Sequence, residues 1–429
     1  MKVAILGYGK EGRSALRYFR ERAADITVFD EQTTLPDLPD GVSFVGGKDA
    51  FLHVDGFDTI VRTPAIRPDR IKHHGGVLTG VTELFFDECP ARIIGVTGTK
   101  GKGTTSSLIF EMLKNAGEGV HLAGNIGVPA LDILPDTRVG DIVVLELSSF
   151  QLWHIKKSPQ VAVVLMIEPD HMDVHSNMDD YISAKANIAR WQDKDDVIIF
   201  HPSNKHSAFI ANQSKGKHLQ YMKSPAAHVK NDYFVIDDQK ICSTRDLLIP
   251  GKHNIENACA AITAAWQFTH NTVAIAEALA TFKGLEHRLE KVRELHGVTY
   301  YNDSFSSALG ASMAAMDSFE NPEIVIIGGY DKNVDFNELA TFISTRKNIK
   351  KVLLIGQTKV AIAKLLSELG FKKFEIITDT DFKSIIEHAQ ELASSGDVVL
   401  LSPGCASYDM FKNFYERGTL FKKHVMELR

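Results

Sequence analysis

The chain has 429 residues, of which 44% are hydrophobic and 24% charged, and its formal net charge is −6 at pH 7. This length exceeds what one hydrophobic core usually supports, so several domains are expected. The composition has no basic excess that would favour nucleic acid or an anionic membrane surface as a partner, and no apolar run approaches the roughly 18 residues of a membrane-spanning helix. We therefore expect a cytoplasmic protein.

Short apolar runs alternate with segments of helical period, which is the pattern of βα units packed as parallel sheets. The strands are predicted in three sets: residues 3–6, 26–30, 42–45 and 59–63; residues 92–96, 141–147, 161–167 and 196–200; and residues 299–303, 323–329, 351–356, 374–378 and 397–402. Between the last two sets lie a β-rich piece at 233–236 and a predicted helix at 254–268. We predict an α/β protein of three domains: a Rossmann-like domain at 1–90, a central domain with a mostly parallel sheet at 91–284 and a Rossmann-like domain at 285–429.

The first glycine-rich segment, GYGKEG at residues 7–12, lies between a predicted strand and an amphipathic helix. Glycines in this context let the amides of a helix N-terminus approach a diphosphate, with Gly7, Tyr8 and Gly9 as the predicted contacts. Asp30 ends the next predicted strand, where a carboxylate could meet a ribose hydroxyl. The pattern is compatible with a dinucleotide site, with a nucleotide-sugar diphosphate site and with a simple tight turn.

The second glycine-rich segment, GVTGTKGKGTT at residues 95–105, is the strongest signal in the chain. Its amides and the following helix N-terminus would hold the β- and γ-phosphates of ATP, Lys102 would neutralise their charge, and a hydroxyl beyond it would hold Mg²⁺. The predicted phosphate-binding residues are Gly98, Thr99, Gly101, Lys102, Gly103, Thr104 and Thr105. The segment departs from GxxxxGK[ST], since Val96 replaces the first glycine and Gly103 takes the hydroxyl position. The central domain is accordingly predicted to be a P-loop-type ATPase domain.

Candidate metal ligands follow two other predicted strands of the central domain. Glu146 ends one of them, where ligands are held in open α/β sheets, although it could instead be a buried, paired acid. His171 belongs to EPDHMDVH at residues 168–175, which offers oxygen and imidazole ligands, although a lone histidine is more often structural.

Lys185 is predicted on a helix at residues 181–191, among Ile182, Ala184 and Ala186. A lysine on such an apolar face usually extends to water or pairs with an acid. The alternative is carbamylation by CO₂, which would convert the amine into a carboxylate that a hard cation can use.

In series, these motifs resemble the Mur ligase family over nearly the whole chain. The segments that carry the resemblance also include GNIG at 124–127, LELSSFQ at 145–151, DHMD at 170–173, SAK at 183–185, HN at 253–254 with Asn257, HR at 287–288, NDS at 302–304 and residues 402–418. The resemblance implies an enzyme whose three domains bind, in chain order, a UDP-sugar peptide, ATP and an amino acid. We expect it to act as a monomer.

The resemblance also implies roles for individual residues around ATP. Lys102, His171 and Lys185 would form the catalytic set. Thr104 and Glu146 would bind one Mg²⁺, and His171 with carbamylated Lys185 would bind a second. Further contacts to the ATP nucleoside and phosphates would come from Asn254, Asn257, Arg288 and Asp303.

The implied reaction is ATP-dependent ligation of D-glutamate to UDP-N-acetylmuramoyl-L-alanine (UDP-MurNAc-L-Ala) through an acyl phosphate, a step in peptidoglycan precursor synthesis. Asn125 would contact the muramoyl-alanine part of the substrate. Lys332, Ser407 and Phe414 match positions that surround D-glutamate in the family.

The chain departs from the family pattern at several positions. Phe305 and Ser307 stand where Lys and Thr are common, so charge near the γ-phosphate or glutamate must come from elsewhere. Lys100 replaces an asparagine, and Ala65 replaces the glycine expected after Pro64. The loop form with Gly103 resembles folylpolyglutamate synthetase, which also adds glutamate.

Three alternatives remain open from the sequence. The nearest is a sister Mur ligase or a folylpolyglutamate-type ligase that adds another amino acid. A nicotinamide-dependent dehydrogenase would use the first glycine-rich segment and leave the second unexplained. A nucleotide-sensing protein without catalysis is motivated by Phe305.

Overall fold

Strands and helices alternate as predicted over the described residues, which are 1–52, 54–72, 75–153 and 155–429 of a computed structural model. The chain divides into a first unit, residues 1–246 with 256–280, and a second unit, residues 247–255 with 281–429. In the part described, both units are built on sheets of parallel strands, so the α/β prediction is confirmed. The three domain boundaries stay a prediction.

The N-terminal part of the first unit is a parallel sheet with helices α1 (Lys10–Arg20) and α2 (Val81–Glu88) and a 3₁₀ turn at Pro68–Arg70. Its strands are β1 (Lys2–Leu6), β2 (Asp25–Asp30), β3 (Ser43–Gly46), β4 (Thr59–Arg62) and β5 (Val77–Gly80). They are arranged in the order β3-β2-β1-β4-β5. Because the order reverses between β1 and β4, the loops after these two strands diverge and leave a crevice at their carboxyl ends.

The larger parallel sheet of the first unit follows. Its strands are β6 (Arg92–Thr97), β7 (Val120–Gly124), β8 (Ile142–Glu146), β9 (Val161–Val164), β10 (Val197–Phe200) and β11 (Lys217–Gln220), in the order β11-β10-β9-β6-β8-β7. Its helices are α3 (Lys102–Asn115), α4 (Ala130–Ile133), α5 (Ser149–Leu152), α6 (Met178–Arg190) and α7 (Lys205–Ala211), with a 3₁₀ turn at Leu134–Asp136. All residues of β8 and β9 are buried, as their continuous apolar sequences require. Since β6 lies between β8 and β9, the loops after these three strands meet at one edge.

A small antiparallel sheet comes next along the chain. It consists of β12 (His228–Lys230), β13 (Tyr233–Ile236) and β14 (Gln239–Ser243), followed by a 3₁₀ turn at Thr244–Asp246 and helices α8 (Lys252–Ala265) and α9 (Thr272–Thr281). The β-rich piece and the helix predicted here correspond to β13 and α8.

The second unit is a mixed sheet in the order β15-β16-β20-β17-β18-β19, in which β15 is antiparallel to β16. The strands are β15 (Glu290–Leu295), β16 (Val298–Asn302), β17 (Glu323–Gly328), β18 (Ile349–Ile355), β19 (Phe374–Ile376) and β20 (Val398–Leu401). The helices are α10 (Leu309–Met316), α11 (Asn337–Thr345), α12 (Lys359–Glu368), α13 (Phe382–Leu392) and α14 (Phe414–Glu427). Because β16, β20 and β17 are neighbours, their carboxyl ends form one edge. No helix in the described ranges is both long and apolar enough to span a bilayer.

Candidate active site

The segment between β6 and α3 wraps around the N-terminus of α3 with two glycines in conformations that other residues rarely adopt. Gly98 has φ +156° and Gly101 has φ +81°. Gly101 is the N-cap of α3 and has no side chain that could occupy the helix amides. The first N–H groups of a helix have no partner within the helix and lie at the positive end of its dipole, which is the arrangement that binds phosphate.

Replacing Gly101 by Ala should weaken ATP binding. The left-handed backbone alone costs about 1–2 kcal/mol for an L residue. The added Cβ would also lie 2.3 Å from Asn257 Oδ1, so the loop would have to shift. We expect at least a tenfold rise in the Kd of ATP, measured by calorimetric titration.

Gly117 provides the matched control, because it has φ +86° just beyond α3 and an added Cβ there meets nothing within 4 Å. Gly117→Ala should lower the unfolding temperature through backbone strain while leaving ATP affinity unchanged. Equal ATP affinity in Gly101→Ala and wild type would contradict the role of this loop.

Lys102 begins α3, and its ammonium group points back along the loop. It donates to the carbonyl oxygens of Gly98 (3.1 Å) and Thr99 (3.0 Å). The charge of Lys102 is therefore held at the mouth of the amide cradle, where it can neutralise phosphate oxygens.

Lys185 lies on α6 with 1% of its surface exposed and shares an acceptor with Lys102. Its Nζ donates to the carbonyl of Gly98 (2.9 Å) and to Thr97 Oγ1 (3.3 Å), and it lies over the Tyr181 ring. Burial, and next the positive charge of Lys102, hold the pKa of Lys185 well below its ordinary value, against the opposing charges of Asp170 and Glu146. Lys185 therefore does not extend to water, as a lysine on such a face usually does, and its carbamylation stays a prediction.

Tyr181 is a member of this cluster that sequence reasoning missed. Its hydroxyl is 3.1 Å from Thr99 Oγ1, which in turn donates to the carbonyl of Glu168 and accepts from its amide. Thr99 thus joins the phosphate loop to the segment after β9 instead of presenting a free hydroxyl. A tyrosine one helical turn before Lys185 is the sequence signal that would have identified it.

Glu146 ends β8, is 4% exposed and accepts a hydrogen bond from Asn125 Nδ2 (2.9 Å). Two predicted residues are therefore brought together, because β7 and β8 are neighbours in the sheet. On the other side of the loop, the Thr105 hydroxyl is fully buried and donates to Asn257 Oδ1 (3.4 Å). Thr104 is partly exposed and is the more accessible of the two candidate hydroxyls.

His171 lies in the loop after β9, where it has φ +55° and an exposed side chain. Its Nε2 is 3.5 Å from Asp170 Oδ2 and its ring packs edge-on against Phe150. The neighbouring His175 is buried and bonded to Asp180 and Ser149, a structural role. Of the two, only His171 is available to a ligand.

The predicted metal ligands include hard oxygen donors that, in the part of the chain described, are not gathered into a cage of acidic side chains. Within the described ranges, no group of three or more His, Cys, Asp and Glu side chains is gathered to hold a cation. The hydroxyl of Thr104 and the carboxylate of Glu146 are nevertheless hard oxygen donors of the type that Mg²⁺ prefers alongside phosphate oxygens and water. These residues fit Mg²⁺ bound together with a nucleotide rather than in a cage made by the protein.

The first glycine-rich segment lines a cavity of about 430 Å³ in the crevice between β1 and β4. Gly7, Tyr8, Gly9, Asp30 and Asn125 all contribute to its wall, so it reaches from the first sheet to the second. Asp30 accepts from the amides of Tyr8 (2.8 Å) and Gln32 (3.0 Å) and thereby fixes the turn. The cavity is lined by both polar and apolar residues and is large enough for much of a nucleotide.

A second cluster lies at the carboxyl edge of the sheet in the second unit. Asp303 follows β16, and its carboxylate accepts from Ser402 Oγ (2.7 Å) and from the amide of Leu289 (3.2 Å). Burial raises the pKa of Asp303 to about 6 although these hydrogen bonds oppose the shift. Asp303 is therefore a buried, hydrogen-bonded acid at the carboxyl edge of this sheet. Open α/β sheets commonly bind ligands at that edge.

Arg288 and Phe305 explain part of the departure from the family pattern. The guanidinium of Arg288 lies 3.7 Å above the Phe305 ring, which also packs on Phe414. A cation–π contact of this kind holds the arginine in place. A positive charge thus lies beside the position at which the family has lysine.

The remaining predicted residues of the second unit lie in loops and near the starts of helices. Ser407 is buried and its carbonyl accepts from the amides of Met410 and Phe411. Lys332 is exposed and lies two residues after Tyr330. Asn254 lies in α8 and donates through Nδ2 to the carbonyl of Pro250.

Arg417 on α14 was not singled out from the sequence. It is 1% exposed, donates to Ser304 and to the carbonyl of Cys405, and has its pKa lowered to about 10 by burial. It ties the segment after β16 to the segment after β20. A lone arginine on a helix carries no signal of such a role.

Comparison with known proteins agrees with this geometry. Residues 96–265 match the Mur ligase middle domain, and residues 287–405 match the Mur ligase glutamate ligase domain. The chain is 39% identical to a UDP-N-acetylmuramoylalanine–D-glutamate ligase of Acetivibrio thermocellus, over 99% of this chain and 96% of that protein. It is 38% identical to the protein of the same name from Caldicellulosiruptor saccharolyticus, over 100% of this chain and 99% of that protein.

The fold is also found among solved structures. The MurF ligase of Thermotoga maritima, solved in complex with ADP, is similar over 99% of this chain and 95% of that one, with a TM-score of 0.62 and 16% identity. At that identity the likeness concerns the fold alone. The matches to both domain families and the full-length relatives at 38–39% identity show that the chain belongs to the Mur ligase family.

Proposed function

We propose that the chain ligates D-glutamate to UDP-MurNAc-L-Ala with conversion of ATP to ADP and phosphate, in peptidoglycan precursor synthesis. The observation that carries this proposal is the 39% identity to a UDP-N-acetylmuramoylalanine–D-glutamate ligase over 99% of the chain. The amide cradle before α3, with Lys102 at its mouth, supplies the matching chemistry. We further propose that the protein acts in the cytoplasm as a monomer on these small molecules.

The reaction has two steps. A carboxylate oxygen of the alanyl group attacks the γ-phosphorus of ATP, the bond to ADP breaks, and an acyl phosphate forms. The neutral amine of D-glutamate then attacks the acyl carbon to give a tetrahedral intermediate. Its C–O bond to phosphate breaks, the nitrogen loses one proton to solvent, and the amide forms. The share of the protein is to position the reactants and to stabilise the charge on phosphoryl oxygens, and no nucleophilic side chain is required.

Residues of the first unit would bind the phosphates of ATP and the Mg²⁺ ions. The cradle from Gly98 to Thr105 holds the phosphates, and Lys102 neutralises them. Thr104 and Glu146 would hold one Mg²⁺, and His171 with carbamylated Lys185 a second. When bound, Mg²⁺ supplies positive charge that offsets the phosphate oxygens.

The substrates are assigned to the other features described above. The cavity lined by Gly7, Tyr8, Gly9 and Asp30 takes the UDP part of the substrate, with Asn125 towards the muramoyl-alanine end. Asn254, Asn257, Arg288 and Asp303 are proposed to contact ATP. Lys332, Ser407 and Phe414 are proposed to contact D-glutamate.

The test is phosphate release from ATP, Mg²⁺ and UDP-MurNAc-L-Ala, with D-Glu, L-Glu, L-Ala and meso-diaminopimelate compared as acceptors. We expect release with D-Glu alone and the ligated product in the mass spectrum. Release with another acceptor would mean a sister ligase with the same mechanism. ATP binding without release with any acceptor would instead mean a nucleotide-sensing protein.

A further inference from the structure

Glu11 is a partly buried acid at the cavity, and none of the roles above assigns it a function. It is the second residue of α1 and one of the residues that line the cavity. Its Oε1 accepts from Gln151 Nε2 (2.7 Å). Its Oε2 is enclosed and has no hydrogen-bond partner among the described residues.

The hydrogen bonds of Gln151 determine which oxygen of Glu11 can carry a proton. Gln151 Oε1 accepts from the amide of Ser148 and from its hydroxyl, both at 2.9 Å, in a capping box at the start of α5. The carbonyl end of Gln151 is thereby fixed, and its NH₂ end must be the donor to Glu11 Oε1. A proton on Glu11 therefore resides on Oε2, the oxygen without a partner.

The surroundings of Glu11 favour the neutral acid. Burial raises its pKa to about 7, while the hydrogen bond from Gln151 and the charge of Arg62 oppose the shift. Arg62, on β4, gives its hydrogen bonds to the carbonyl oxygens of Ile66 and Phe150. The other charged groups that line the cavity are Lys10 on α1 itself, Asp30 at the end of β2, Glu31 directly after it, and Arg70.

An anion in the cavity would compete with an ionised Glu11 for the same positive region. The N-terminus of α1 offers its amides and the positive end of its dipole to both. A diphosphate there would place negative charge near an enclosed carboxylate, and like charges in such a setting raise the pKa of the acid.

We propose that Glu11 is neutral when the diphosphate of a nucleotide sugar occupies this cavity, and that binding of the substrate therefore takes up one proton at Glu11. The inference rests on the proposed function, since it assigns the UDP part of the substrate to the cavity. Glu11 acts here as a proton-linked positioning residue. It keeps its hydrogen bond to Gln151 in α5, the helix that follows the loop after Glu146.

The first test is calorimetric titration of the full chain with UDP-MurNAc-L-Ala in two buffers of different ionisation enthalpy. This ligand is suitable because its phosphodiester charges do not change near neutral pH. We expect proton uptake approaching one above about pH 7, and a Kd that rises by up to about tenfold per pH unit over that range. Binding without proton uptake would overturn the proposal without needing any variant.

Two variants identify the group that takes up the proton. Glu11→Gln keeps the size of the side chain and an acceptor for Gln151, so it should bind with a Kd independent of pH and without proton uptake. Glu31→Gln removes an exposed acid of the same cavity wall that pairs with Arg70, and it should keep the pH dependence of wild type. Proton uptake that persists in Glu11→Gln would assign it to another group and overturn the proposal.

The outcome is separate from that of the proposed function. A wild-type chain that binds no UDP-MurNAc-L-Ala at any pH would refute the function assigned to the cavity. A chain that ligates D-glutamate but shows no proton uptake on binding would refute the role of Glu11 alone.

Discussion

Lys102→Ala should release phosphate about 10³-fold more slowly than wild type while it still binds UDP-MurNAc-L-Ala. The ammonium group of Lys102 lies at the mouth of the amide cradle, 3.1 Å from the carbonyl of Gly98. Groups that stabilise charge developing on a transferring phosphoryl typically contribute 10²–10³-fold or more to the rate. The cavity at the first glycine-rich segment does not include Lys102, so binding of the UDP part should be unaffected. Phosphate release and calorimetric titration of the substrate together measure both expectations.

Lys100→Ala is the matched control, since it removes the same charge two residues earlier in the loop. Lys100 is exposed and forms a 3.5 Å ion pair with Glu168. Exposed pairs of this kind contribute little, so we expect a change in rate of less than about fivefold. Similar losses in both variants would indicate that the general charge of the loop matters, and not the position of Lys102. Loss of substrate binding in Lys102→Ala would indicate a folding defect.

The strands and the phosphate loop could be predicted because their signals are local. Buried parallel strands are continuous apolar runs, and the predicted limits of β6, β10, β13 and β20 lie within one or two residues of those observed. The loop before α3 was recognisable because glycine is needed where φ is positive, as at Gly101.

The order of the strands could not be predicted by the same means. Glu146 and His171 lie at the same edge of the sheet as the phosphate loop, because β6 lies between β8 and β9. That adjacency arises from crossover connections, which leave no periodic pattern in the chain. The family resemblance implied instead that these residues act together around ATP.

Contacts between distant side chains were also beyond the sequence. Glu11 and Gln151 are 140 positions apart, and neither belongs to a motif that names the other as a partner. Arg417 and Ser304 are 113 positions apart. Single polar residues on amphipathic helices are usually solvated, so their burial becomes evident only from the tertiary structure.

Phe305 shows how a departure from a family pattern can be absorbed. From the sequence, the loss of the usual lysine leaves a missing charge. In the structure, the guanidinium of Arg288 lies 3.7 Å above the Phe305 ring. Because the aromatic face attracts the cation, Phe305 holds the positive charge of Arg288 close to the position of the usual lysine.

Replacing Lys185 should strongly reduce ligation, and an added carboxylate should restore part of the lost activity. If carbamylated Lys185 is required, Lys185→Ala, Lys185→Met and Lys185→Arg should each lose about 10²–10³-fold in phosphate release, because neither an apolar group nor a cation can replace an anionic ligand. Acetate or formate should restore part of the activity of Lys185→Ala, since the smaller side chain leaves room for a free carboxylate. In wild type, ¹³C-labelled bicarbonate should give a carbamate signal that is absent from Lys185→Met.

The variants separate three roles for this buried lysine. Full activity in Lys185→Met would mean that the side chain only fills space in the core of the first unit. Full activity in Lys185→Arg would mean that the site needs a positive charge. Retention of activity by either variant would contradict a requirement for carbamylated Lys185.

The charge balance around Gly98 favours the carbamate. Its carbonyl oxygen accepts from both Lys102 (3.1 Å) and Lys185 (2.9 Å), and two ammonium groups that share one acceptor repel each other. Burial and the charge of Lys102 lower the pKa of Lys185, which increases the fraction of neutral amine, the form that reacts with CO₂. Carbamylation would then convert a repelled cation into an anion that Lys102 attracts. The charge of Lys102, which disfavours the ammonium form of Lys185, would thus stabilise its carbamate, and the ¹³C signal should weaken in Lys102→Ala.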